Sequence, residues 1–161
     1  MKALLSPLAT ILTALFLVSC GEKHKVEGFE QALVDGEKLI EAVRQKDGHF
    51  LHAQLDADWA AESSPESLSE HLANLYRLHG EPAEAPFVDV KQLAEEDLPA
   101  EAPEVPPGEN LIEVYAPLLT RGAENGETIA LDVRLHLLKS PDGFRLHNWS
   151  FEPLTAADSQ P

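Results

Sequence analysis

Cysteine is almost missing from this chain: 161 residues carry one, Cys20. A single thiol excludes an internal disulfide, and no set of cysteine and histidine has zinc-site spacing, so neither a metal nor a cofactor is expected. Basic residues are scarce too, 12 Lys+Arg against 28 Asp+Glu. So acidic a surface repels phosphate backbones and anionic lipid headgroups, which excludes nucleic acid as an expected partner. The sequence holds no nucleophile elbow, no P-loop and no Gly-rich dinucleotide turn. It also lacks a hydrophobic run of the roughly 20 residues that a spanning helix needs. What remains is 43% hydrophobic and 25% charged, the balance of an ordinary single globular domain.

The longest apolar run, Ala3 to Val18, follows the one charge of Lys2 and ends in small residues. That is the pattern of a secretory signal peptide over 1–19. Leu17-Val18-Ser19-Cys20 resembles the lipobox of bacterial lipoproteins, in which the cysteine takes a diacylglyceryl group and becomes the first mature residue. Gly21 replaces the aspartate associated with inner-membrane retention. The resemblance therefore implies a lipid-anchored protein of the bacterial outer membrane, facing the periplasm. Residues 20–26 form a tether of roughly 25 Å when extended.

Phe29, Ala32, Leu33, Gly36, Leu39, Ile40 and Val43 recur on one helical face, and Asp47-Gly48 is expected to end that helix. Gly36 on the stripe costs about 1 kcal/mol against alanine, which suits a place of close backbone approach. A short helix is expected over Phe50 to Leu55. In "SSPESLSEHLANLYRLHG" Ser64 caps, Pro65 takes the first turn, Leu68, Leu72, Leu75 and Tyr76 form the buried stripe, and Gly80 stops the helix. Phe87 to Leu93 reads as a strand. The segment 94–110, with six acids and four prolines, lacks the apolar content to fold alone and reads as a solvated loop or a partner-docking segment. Residues 154–161 read as a disordered tail.

Asn125-Gly126 is a strong two-residue hairpin signal. It pairs Val114 with Leu137, Ala116 with Leu135 and Leu118 with Val133. One face becomes apolar, and the other sets Tyr115 against His136. "SPDGF" permits two registers. A two-residue loop puts His136 opposite His147; a three-residue Pro-Asp-Gly loop pairs Ser140 with Phe144, Leu137 with His147 and Leu135 with Trp149. The second is preferred because glycine then takes the positive-φ position and both aromatics join the apolar face.

Helices followed by an antiparallel meander make an α+β chain, with helices on the concave face of a twisted sheet over 27–153. The opening helix Glu27 to Lys46, "LDADW", the helix capped at Ser64 and the closing "DGFRLHNWSF" resemble the nuclear-transport-factor-2-like superfamily of cystatin-like cones. That resemblance implies a pocket lined by Leu135, Leu137, His147, Trp149 and Phe151. It implies either a non-catalytic module for a small apolar ligand or an envelope protein, or an enzyme of the ketosteroid-isomerase or polyketide-cyclase type. For the enzyme, His147 is the candidate acid or base and Asp56 and Asp58 are the candidate carboxylates. For both aspartates, cap or turn duty is the simpler account. His49 and His52 lie one helical turn apart but lack a third ligand, and Tyr76 and Tyr115 are expected at surface or rim.

Overall fold

The computed structural model describes residues 28–93, 111–122 and 128–155, and of Phe29 the backbone only. The signal segment 1–19, Cys20 with its tether, the loop 94–110 and the Asn125-Gly126 turn lie outside the described residues. Within them four helices precede five strands: α1 (Phe29–Gln45), α2 (Gly48–Gln54), α3 (Ala57–Glu62), α4 (Pro65–His79), β1 (Glu81–Glu84), β2 (Asp89–Gln92), β3 (Leu111–Arg121), β4 (Thr128–Ser140) and β5 (Gly143–Thr155). This is the expected α+β class, an open antiparallel sheet with helices against one face. No described helix is long and apolar enough to cross a membrane.

The helix stripes do the packing that their periodicity requires. Ala32, Leu39, Ile40 and Val43 of α1 and Leu68, Leu72 and Tyr76 of α4 join one core. At Gly36 the close approach is a side chain, not a backbone: a Cβ there would stand 2.8 Å from both methyls of Val114. α1 stops at Gln45, one residue short of the expected end at Lys46. Lys46 adopts a left-handed conformation (φ 57°), and the Lys46 and Asp47 amides donate to Val43 and Ala42 in a Schellman arrangement. α4 matches its punctuation, with Ser64 and Ser67 capping each other reciprocally and Gly80 at φ 96° closing the end.

Tyr76 is buried, as its place on the α4 stripe requires and against the rim position also expected for it, and its hydroxyl donates to the Val43 carbonyl at 2.7 Å, joining α4 to the end of α1. Burial pushes its ionisation well above the ordinary phenol range. Tyr76→Phe should lower unfolding stability by about 1 kcal/mol, read as a lower urea midpoint at unchanged slope.

β1 and β2 lie one after the other along the same edge of β3, followed by β4 and then β5. β1 and α3 were not expected, and β2 starts at Asp89, two residues after the expected start at Phe87. The β3–β4 register is two residues away from the expected one: Val114 faces Leu135, Ala116 faces Val133 and Leu118 faces Leu131. An even shift leaves every side chain on its face, so the apolar pattern cannot detect it.

The β4–β5 hairpin corrects the second register in a different way. Pro141-Asp142 makes a two-residue loop, and Ser140 pairs with Gly143. The ladder runs through Leu137↔Leu146, then breaks, and resumes as His136↔Asn148, Leu135↔Trp149 and Val133↔Phe151. His147 is the extra residue, a bulge placed in mid-strand instead of in the turn. Phe144 and Leu146 therefore face the core before the bulge, and Trp149 and Phe151 face it after. β5 also continues to Thr155, past the expected domain end at 153.

Candidate functional site

His147 and Asp56 come together. The bulge releases His147 from the ladder, and its Nδ1 contacts Asp56 Oδ2. Since a carboxylate only accepts, the ring proton of this contact sits on Nδ1, leaving Nε2 buried without a partner among the described residues. The other Asp56 oxygen caps α3 by accepting from the Trp59 amide at 3.0 Å, and the Asp56 amide donates to the Leu146 carbonyl at 2.9 Å. Asp58 stands exposed in the first turn of α3, where a negative charge suits the helix dipole.

The other expected lining residues divide. Leu135 and Leu137 are fully buried in the core, packed among Val114, Val133 and Leu146. Trp149 and Phe151 are half-buried at its margin, with Trp149 edge-on to Trp59 (5.3 Å), stacked under His71 (5.9 Å) and edge-on to Phe151 (5.3 Å). His52 Nε2 lies 3.2 Å from the Ser63 carbonyl, and His49 is exposed. Among the described residues no three His, Cys, Asp or Glu gather closely enough to hold a metal ion.

The second face of the sheet holds a cluster that sequence reasoning missed. Glu113 sits opposite His136 across β3 and β4, Tyr115 opposite Arg134, Lys91 of β2 opposite Glu113 and Asp89 opposite Tyr115. The Glu113 side chain is only 7% exposed, and His136 Nε2, Lys91 Nζ and Arg134 Nη1 each reach it at 3.3 Å. The hydrogen bond from His136, then Lys91 and Arg134, outweigh burial and hold the Glu113 carboxyl down at about 2. Tyr115 donates to Asp132 at 2.9 Å, and burial together with that carboxylate pushes its ionisation upward. The Arg134 guanidinium lies 5.1 Å over the Tyr115 ring.

Asp89, Lys91, Glu113, Tyr115 and Arg134 line a recess of about 160 Å³. Phe87 stands at its side, 53% exposed, with its ring 6.0 Å from that of Tyr115. Phe87, Tyr115 and Arg134 are of the residue types that are enriched at protein interfaces.

Comparison with protein-family models, curated proteins and solved structures finds no match to this chain.

Proposed function

We propose that the chain is a membrane-anchored periplasmic lipoprotein of the bacterial outer membrane, lipidated at Cys20, that acts as a non-catalytic binding module for another envelope protein. The observation that carries the binding reading is the second-face patch of Phe87, Tyr115 and Arg134 around the charged recess. Glu113 uses both carboxylate oxygens to hold Lys91, Arg134 and His136, so the recess is a pre-formed surface. The solid packing of Leu135 and Leu137 favours a protein over a small apolar ligand as the partner. The anchor rests on Leu17-Val18-Ser19-Cys20. Assignment of the α+β core to the nuclear-transport-factor-2-like cones rests on the order of helices and meander. A scaffold interacting through the acidic segment 94–110 is the alternative to this binding module.

A second reading, a pocket enzyme, is favoured by one observation: Asp56 fixes the His147 tautomer and leaves Nε2 as a proton acceptor. The two readings separate on Phe87→Asp with Tyr115→Ala, which removes partner capture under the first and leaves any turnover intact under the second. The anchor is tested by Cys20→Ala. Acylation should disappear, and the protein should leave the membrane fraction or stall as its precursor; unchanged fractionation and labelling would refute the lipoprotein.

A further inference from the structure

Among the described residues, the last strand of the sheet has one edge without a neighbouring strand. β5 pairs with β4 on one side. On its other side the described backbone pairs with it at one place only, where Leu55 bridges Leu146 and the Asp56 amide donates to the Leu146 carbonyl. From Asn148 to Glu152 no described strand lies alongside. Unpaired edges are usually blunted by lysine, proline or a bulge. Here the bulge at His147 and Pro153 bracket the stretch, and Asn148-Trp149-Ser150-Phe151-Glu152 between them holds no basic residue.

The helix-side flank of that edge is aromatic. Trp149 meets Trp59 and Phe151 edge-on and stacks with His71, which also meets Phe151; all four are half-buried or exposed, with ring centroids 5.3–6.2 Å apart. The helices that supply Trp59 and His71 also carry four exposed acids, Asp58 and Glu62 on α3 and Glu66 and Glu70 on α4, of which Glu62 lies one helical turn from Trp59. Glu152 adds an exposed acid on the strand itself. Open backbone, π faces and negative charge are the three features that together recognise an extended chain bearing lysine or arginine. Backbone pairing supplies affinity, and the ring faces with their acidic surround select cations on alternate residues.

We propose that Asn148–Glu152 of β5 is a strand-addition site for a basic extended segment of another protein, seated with its cationic side chains over Trp149 and Phe151. A second copy of this chain does not suit the site, because pairing β5 with β5 would bring two molecules of net charge −16 together edge to edge. The site is separate from the second-face patch and does not depend on it.

The test uses the full chain in mild detergent and a ten-residue peptide alternating arginine with valine. Trp59 and Trp149 are the only tryptophans, so intrinsic fluorescence reports on the site directly. Saturable quenching at micromolar peptide is expected, weakening with salt. Binding should fall at least tenfold for the same peptide N-methylated on alternate residues, for its Glu-Val counterpart, and for the surface variant Glu62→Lys/Glu70→Lys, whose circular dichroism should match the parent. Equal binding of the N-methylated peptide removes strand addition from the proposal. Equal binding of the acidic peptide removes the charge argument. Absence of quenching, or a dimer in sedimentation velocity that Glu152→Lys alters, overturns the site as assigned.

Discussion

Alanine at position 48 should cost the domain about 3 kcal/mol, enough to move a urea midpoint by more than a molar unit. Gly48 opens α2 where α2 meets the start of α4. Its amide donates to Ser69 Oγ at 3.1 Å, and that hydroxyl donates onward to the Lys46 carbonyl at 3.0 Å. A Cβ on residue 48 would collide with the Pro65 carbonyl oxygen and stand 2.9 Å from the Ser69 amide nitrogen. Both of these atoms belong to the backbone of the first two turns of a capped helix, so relief requires α4 to lift from α2. Gly36→Ala supplies the internal comparison. There the obstacle is the Val114 side chain, and alanine also gains about 1 kcal/mol of helix propensity, so the net loss should be well below that at Gly48. Equal midpoints for the two variants would show that α2 and α4 do not meet as described.

Glu113→Gln should remove a stability that exists only above acidic pH. The folded carboxyl titrates at about 2, below its ordinary 4.5. Its ionised form therefore stabilises the native state above pH 4.5, and that contribution is lost as the pH falls from 4.5 toward 2. The shift corresponds to something on the order of 2 kcal/mol, taken at the low end because Lys91 is 57% exposed and still shared with water. At pH 7 the glutamine variant should be less stable by that amount. At pH 2 the two proteins should coincide. Unfolding free energies measured across this range should converge as the pH drops; parallel curves would mean that Glu113 is not held ionised by His136, Lys91 and Arg134.

The same cluster shows what the sequence could have told and did not. Helices α1 and α4 were legible because their stripes and caps are local signals, and the side of the sheet that faces them was legible because apolar residues alternate along β3 and β4. The register was not, since a shift of two residues preserves alternation. The deciding signal lay on the polar side: only the observed register sets Glu113 against His136 and Tyr115 against Arg134, and cross-strand charge pairing distinguishes even shifts that hydrophobicity cannot. The bulge left a similar trace. Phe144 and Leu146 are apolar at even positions and Trp149 and Phe151 at odd ones, so the phase changes near His147. The meeting of Asp56 with His147 joins residues 91 apart and depends on both the α3 cap and the bulge. α3 and β1 are six and four residues long, too short for periodicity to declare them.

His147 is the one member of β5 that the sheet could do without. Excised, it would leave Leu146 followed by Asn148 in unbroken alternation, with Leu137 and Leu135 still facing their present neighbours and no aromatic changing sides. A hairpin under selection for pairing alone would be one residue shorter; the surplus residue lends its imidazole to Asp56.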